Sequence, residues 1–315
     1  MTQLIKEEQG ISVQTLCSLF GKSRNAWYDS QRKTEKDILT RDIVLQEVNK
    51  LRNDLPGIGT RKLHYLLQNI LLEHNIAVGR DYLFDLLAAN GLLVARRRRR
   101  FITTDSNHWM KKYDNLIIME QICRPEQAWV SDITYLRLNR TFVYLSLITD
   151  AYSRQIMGYH LHNDLSTEGC LQALKMAIEK RNTQDLPLMH HSDRGSQYCS
   201  KAYVDVLKNN NIAISMTKNG DPYENAMAER VNGILKTEFS IDRNTGSFES
   251  LKVKLDKVIS SYNTIRPHAS LGYLTPVQAH KKLGELNKNW KNYRKEKWDR
   301  KIQQQQNSIA ILGDN

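Results

Sequence analysis

Apolar residues recur at helical spacing through the first ninety or so positions, and from about Trp129 their period falls to two. Val13, Leu16, Cys17 and Phe20 stand at i, i+3, i+4 and i+7, which predicts one face of a helix with Ser12 as its N-cap. Gly21 breaks the pattern, and Ser23 is placed to cap a second short helix from Arg24 to Ser30. Helix, glycine turn and capped helix outline a helix-turn-helix, though a plain helical hairpin gives the same pattern. A further helix is expected from Asp37 to Leu51, then a turn at Pro56-Gly57-Ile58-Gly59. Leu63, Leu66, Leu67 and Ile70 share one helical face. A loop through His74 and Asn75 leads to a helix over Arg80–Asn90, with Leu83, Leu86 and Leu87 aligned and Gly91 as its stop. This pair reads as a second helix-turn-helix-like unit, or equally as packing surface for a partner subunit.

Beyond Trp129 the alternation predicts strands at Ala128–Leu138, Phe142–Ala151 and Gln155–His162, the first two joined by a turn at Asn139-Arg140. Ser166 is placed to cap a helix reaching about Arg181. A fourth strand over Leu186–Ser192, a helix over Lys201–Asn211, a fifth strand over Ile212–Met216 and a helix over Tyr223–Phe239 follow. Three antiparallel strands and then alternating helices and strands imply an α/β fold: a mixed five-stranded sheet with helices on both faces, the ribonuclease-H-like plan, preceded by all-α helix-turn-helix units. The expected division is 1–52 and 53–112 for the two helical regions and an arginine-rich linker, 113–282 for the sheet, and 283–315 for a basic tail.

Charge adds a partner. The net charge of +12 is unevenly spread. Residues 1–112 carry 19 basic and 12 acidic groups (net +7), residues 113–280 carry 18 of each (net zero), and residues 281–315 carry 9 and 4 (net +5). A neutral centre between basic flanks suits a catalytic module held by polyanion-binding arms. Arg96, Arg97, Arg98, Arg99 and Arg100 form an unbroken run, and Arg61, Lys62 and Arg80 are expected to meet phosphates. The tail Trp290–Trp298 interleaves basic and aromatic residues, which suits phosphate contact and base stacking. Nucleic acid is therefore the expected ligand, and a helix-turn-helix docked on it would make it double-stranded DNA. No apolar run is long enough to span a membrane, and no signal-peptide core opens the chain. The four scattered cysteines form no CxxC pair, which argues against structural zinc and fits a reducing cytoplasm.

Three acidic residues carry the candidate chemistry. Asp132 interrupts an apolar strand face, where an unpaired charge is costly unless a cation or salt bridge compensates it. Asp193 ends the fourth strand, placed to meet a ligand or to cap a turn. Glu229 follows after 35 intervening residues, in a helix where Asn225, Glu229, Asn232 and Lys236 share a polar face; Glu224 and Glu238 are its nearby rivals. Two strands and a helix converging their carboxylates give an oxygen-rich site for two hard divalent cations. Asn232 and Lys236 are then placed to touch DNA. His190 and His191 are adjacent on a strand and point to opposite faces, so they do not share one metal; one faces the core, and the other is left to border the site.

At these residues the chain resembles the integrase core of DDE transposases, nearest to the insertion-sequence group that encodes this core in a second, overlapping reading frame. The matching strings are Trp129-Val130-Ser131-Asp132-Ile133-Thr134-Tyr135, His191-Ser192-Asp193-Arg194-Gly195-Ser196-Gln197-Tyr198, Glu224-Asn225-Ala226-Met227-Ala228-Glu229 and Tyr262-Asn263-Thr264-Ile265-Arg266-Pro267-His268. Gly59-Thr60-Arg61-Lys62-Leu63 and Thr103-Thr104-Asp105-Ser106-Asn107-His108 resemble the same group. The resemblance implies Mg2+ or Mn2+ held by Asp132, Asp193 and Glu229, and places Lys236 at the family's usual basic position. It also implies terminal inverted repeats as substrate, homo-oligomeric assembly on DNA and an upstream-frame partner or fusion. Two other readings stay open: a nuclease of the same fold that cleaves without joining, and a DNA-binding regulator with an inactive core.

Overall fold

A computed structural model describes residues 12–95, 110–117, 120–218 and 225–287. The runs Arg96–Arg100 and Thr103–His108, Glu224 and the tail around Trp290–Trp298 lie outside the described residues. The chain divides into two compact units, Met1–Asn53 with Ile58–Val94, and Asp54–Gly57 with Ala95–Asn315.

The first unit is helical. α1 spans Val13–Leu19, with Ser12 capping it by accepting from the Thr15 N–H. Gly21 turns the chain at φ +61°, which a residue without Cβ adopts freely. The Ser23 hydroxyl accepts from the Ala26 N–H at the start of α2. α2 runs unbroken over Arg24–Asp54, so the short helix expected to end at Ser30 and the one expected to begin at Asp37 are a single 31-residue helix. No glycine or proline interrupts it, and its polar middle lacks the apolar stripe that sequence periodicity needs. α3 (Thr60–Glu73) buries Leu63, Leu67 and Leu71, and α4 (Arg80–Ala89) buries Leu83, Leu86 and Leu87.

The second unit is built on β1 (Ala128–Leu138), β2 (Thr141–Asp150), β3 (Ile156–His162), β4 (Leu188–Ser192) and β5 (Ile212–Met216), in the spatial order β3-β2-β1-β4-β5. β1, β2 and β3 are antiparallel, while β4 runs parallel to β1 and β5 parallel to β4. That is the expected ribonuclease-H-like plan. A two-residue strand, β6 (Arg243–Asn244), pairs with the far end of β1 and is too short to leave an alternating pattern.

Helices cover both faces. α5 (Thr167–Glu179) packs on β2 and β3, followed by α6 (Ser196–Cys199) and α7 (Lys201–Asn209). α8 (Ala226–Glu238) lies against β1 and β2. α9 (Phe248–Thr264) and α10 (Pro276–Ala279) complete the unit. The main core joins Trp129, Ile148, Met157, Leu174, Tyr203 and Met216. Gly158 lets β3 and α5 meet closely: a Cβ there would lie 2.0 Å from the Ala173 carbonyl oxygen.

Candidate active site

β1 is paired on both sides, so its side chains alternate between two packed faces. Ala128 and Val130 cluster with Met189 and Ala228 beneath α8, and Trp129 joins the main core on the other face. Asp132 keeps the parity of Ala128 and Val130. It therefore faces α8, where Asn232 Nδ2 donates to its Oδ2 at 2.7 Å. Asp193 follows the last residue of β4. Parallel pairing sets Val130 beside His191, and two residues further along each strand Asp132 and Asp193 draw level. Asp193 Oδ1 accepts from the Gly195 N–H at 3.0 Å, a turn-capping bond that fixes the carboxylate's direction. Glu229 lies exposed in the first turn of α8, where the helix dipole favours a negative charge.

Electrostatics couples the three groups. Burial pushes the Asp132 carboxyl up to about 7, and the charges of Asp193 and Glu229 push the same way, against the hydrogen bonds from Asn232 and the Ile133 N–H. A half-buried carboxylate repelled by two others is eased by a divalent cation, and three hard oxygen donors suit Mg2+ or Mn2+. The residues present fit such an ion. Among the described residues no three acidic, histidine or cysteine side chains are gathered tightly enough to grip an ion as they stand. Mutual repulsion of uncompensated carboxylates acts in that direction.

The polar face of α8 is divided. Asn225 and Asn232 are buried against β1, Glu229 is exposed and Lys236 is half-buried. Asn232, expected to meet a nucleotide, gives its amide to Asp132 instead. Asn225 Nδ2 donates to the Ser131 carbonyl at 3.1 Å. Burial lowers the Lys236 ammonium, while Asp132 and then Asp242 draw it back up, so Lys236 is within electrostatic reach of the site. Of the rival glutamates, Glu238 is engaged by Arg266 through two hydrogen bonds. Arg61 and Arg80 are exposed on α3 and α4, Lys62 is half-buried, and Arg80 Nε lies 2.8 Å from Asp81.

Both histidines of β4 are buried; His190 lies beside Tyr203 of the main core, and His191 keeps the parity of Asp193. The Ser131 and Tyr203 hydroxyls lie 2.6 and 2.9 Å from His190 Nε2, and burial with the neighbouring His191 drives His190 down to about 3, keeping it neutral. His191 Nδ1 lies 2.8 Å from the Ser215 hydroxyl.

Sequence reading missed a second buried polar cluster. Asp150 accepts from the Glu126 N–H and from the Ser153 N–H and hydroxyl, each at 2.7 Å. Glu126 accepts from the Asn182 and Thr183 N–H groups and the Thr183 hydroxyl, with His280 Nε2 at 3.5 Å. These residues are dispersed along the chain, and no spacing connects them.

Integrase core domain families match residues 123–222 and 210–276. The uncharacterized 31 kDa protein of insertion element IS600 from Shigella sonnei is 32% identical over 279 residues, 86% of this chain and 99% of that one. The transposase for insertion sequence element IS629 from Shigella sonnei is 28% identical over 284 residues (88% and 93%). Transposase InsF for insertion sequence IS3fB from Escherichia coli K12 is 29% identical over 280 residues (87% and 95%). Among solved structures, the HTLV-2 integrase catalytic core domain in complex with magnesium is 18% identical at a TM-score of 0.40, covering 50% of this chain and 97% of that one. The catalytic domain of Mos1 mariner transposase is 14% identical at a TM-score of 0.37 (43% and 70%).

Proposed function

The chain belongs to the insertion-sequence transposases of the IS3 type that carry an integrase core, and from that premise we propose that Asp132, Asp193 and Glu229 are the carboxylates with which it cuts and joins DNA. The observation that carries this reading is geometric: the parallel register of β1 and β4 sets Asp132 level with Asp193, and Asn232 of α8, three residues after Glu229, donates to Asp132 Oδ2 at 2.7 Å.

These carboxylates, Asp132, Asp193 and Glu229, would hold Mg2+ or Mn2+, two ions in all. Divalent cations so held supply Lewis acidity to the phosphodiester and lower the pKa of the attacking oxygen. The chain's own residues orient the reaction. Asn232 fixes the Asp132 carboxylate, the Gly195 N–H fixes Asp193, and α8 presents Glu229 at its positive end. Lys236 offers a cation to a neighbouring DNA phosphate. In the first step water attacks phosphorus at the end of the element and the bond to the 3′ oxygen breaks, leaving a 3′-hydroxyl. In the second that hydroxyl attacks a target phosphodiester and displaces its 3′ oxygen, so that strands are joined without a covalent protein intermediate.

Terminal inverted repeats are the proposed substrate, bound by the helical unit through Arg61, Lys62 and Arg80 and by Arg96–Arg100. Because a transposition event uses both ends of an element, we place the protein as a homo-oligomer on DNA, with an upstream-frame product as partner or fusion. The proposed compartment is the bacterial cytoplasm, at the nucleoid. Among the described residues no helix is long and apolar enough to cross a membrane.

The test is cleavage of a labelled duplex carrying the element's ends in Mg2+ by the wild type and by Asp132→Asn, Asp193→Asn and Glu229→Gln. Each variant should bind the duplex and fail to cut it. Full cutting by any of them removes that residue from the site, and cutting without joining by the wild type favours the nuclease reading.

A further inference from the structure

Two asparagines, Asn225 at the N-cap of α8 and Asn232 within it, stand seven residues apart, about two helical turns, and lie on either side of Glu229 in sequence. Both are buried, at 6% and 5% exposure, and both donate to consecutive residues of β1: Asn225 to the Ser131 carbonyl at 3.1 Å, Asn232 to Asp132 Oδ2 at 2.7 Å. We propose that this pair is an amide staple whose members are positioning residues: it holds the helix bearing Glu229 in register with the strand bearing Asp132, and it fixes the orientation in which the Asp132 carboxylate would meet a divalent cation. The inference rests on the assignment of the three carboxylates made above.

Three physical points support it. A surface stripe of asparagines gains nothing from burial, since amides prefer water unless they are paired inside. Apolar residues at positions 225 and 232 would serve packing better, so the amides select one register rather than add bulk stability. The staple also acts on the one strand position where rotation of a side chain changes chemistry. With Oδ2 held, the Asp132 carboxylate is fixed about its last torsion, a freedom that a lone carboxylate retains. Finally, Oδ1 of Asn225 and of Asn232 are buried and accept no hydrogen bond among the described residues. Such an oxygen beside Asp132 is suited to accept from water carried by a cation, the arrangement by which outer groups orient metal ligands.

The experiment is calorimetric titration of the metal-free protein with Mn2+, run on the wild type, Asn232→Ala, Asn225→Ala and Asp132→Asn, with unfolding temperature and duplex DNA affinity measured on the same samples. Strand transfer is then measured against Mg2+ concentration. Asn232→Ala should weaken Mn2+ binding and raise the half-saturating Mg2+ by about 10- to 100-fold, the usual size of an outer-group effect. Its DNA affinity and its KM for DNA should stay within about twofold of wild type. A merely structural asparagine would move the unfolding temperature without moving the Mn2+ isotherm, and that result overturns the proposal. Should Asn232→Ala not fold, Asn225→Ala carries the test, with a weakened isotherm supporting the staple and an unchanged one refuting it. Asp132→Asn separates the two readings: if it too leaves Mn2+ binding unchanged, the carboxylate assignment falls, whereas loss there with an unchanged Asn232→Ala isotherm removes only the staple.

Discussion

Arg266 is a deeply buried cation of the sheet unit, and its removal has a calculable cost. Its side chain is 2% exposed. Nε and Nη2 donate to the two carboxylate oxygens of Glu238 at 2.9 and 2.7 Å, Nη1 lies 2.9 Å from His268 Nε2, and the guanidinium stands 5.8 Å from the Tyr262 ring centre. Glu238 is the last residue of α8, so the fork anchors the end of the helix that carries Glu229. Breaking a buried pair by removing one partner costs about 3–5 kcal/mol. Glu238 keeps 18% exposure and can recover some hydration, which places Arg266→Met near the lower end of that range. For a unit of this size that is a fall in unfolding temperature of about 6–12 °C. Glu238→Gln strands the more deeply buried partner and should cost at least as much. Replacing both, as Arg266→Met with Glu238→Gln, should cost less than the sum by about 1–3 kcal/mol, because neither charge is then left alone. Scanning calorimetry on the four proteins measures the cycle. A single-variant cost below about 1 kcal/mol, or no coupling in the double variant, would refute the claim that this pair anchors α8.

Other consequences follow from the same geometry. Burial alone would raise Glu126, but bonds from His280, Thr183 and Asn182 bring it down to about 2; burial would likewise lower His280, yet Asp150 and Glu126 raise it to about 9. Stabilisation from Glu126 is complete above about 4.5 and is lost as pH falls toward about 2, whereas that from His280 is complete below about 6.5 and lost as pH rises through about 9. The urea midpoint should therefore be greatest between those limits and the His280→Ala protein should lose the alkaline decline; an alkaline limb unchanged in that variant would contradict the assignment. Gly158→Ala forces a Cβ to within 2.0 Å of the Ala173 carbonyl and should destabilise by about 1–3 kcal/mol or more, seen as a lower urea midpoint; a neutral effect would show that α5 is not pressed on β3. Asp132, with its folded value raised to about 7, destabilises the metal-free protein when ionised, fully above about 7 and not at all below about 3.8. Asp132→Asn should thus unfold at a higher temperature than wild type in chelator at pH 8 and lose that advantage at pH 4; equal temperatures at pH 8 would show that the carboxylates do not repel.

Much of this was legible in the sequence because each piece left a local trace. β1, β2 and β3 are rich in β-branched, aromatic and aliphatic residues between turn signals, and their bounds differ from the sequence expectation by one residue at most. β4 was detectable as an apolar run, though its first two expected residues, Leu186 and Pro187, stay outside the strand. Asp132 was conspicuous as a charge on an apolar face, and its alignment with Asp193 follows from the parallel pairing of two strands found separately. What stayed hidden lacks a local trace. Asn225 and Asn232 sit in sequence like any solvated stripe, and only the docking of α8 on β1 shows that they are buried. Arg266, Glu126, Asp150 and His280 are charged residues in an ordinary charged chain; each has a partner well away in sequence, up to 154 positions for Glu126 and His280. The continuous α2 escaped periodicity because a polar helix displays no apolar face to find.

The central claim is that this chain joins DNA strands through Asp132. The direct test offers the protein a labelled duplex ending in an exposed 3′-hydroxyl at the element's terminus, together with a supercoiled target and Mg2+, and compares wild type with Asp132→Asn. The wild type should yield labelled target and Asp132→Asn none, although both bind the duplex. Joined product from Asp132→Asn at the wild-type rate would contradict it.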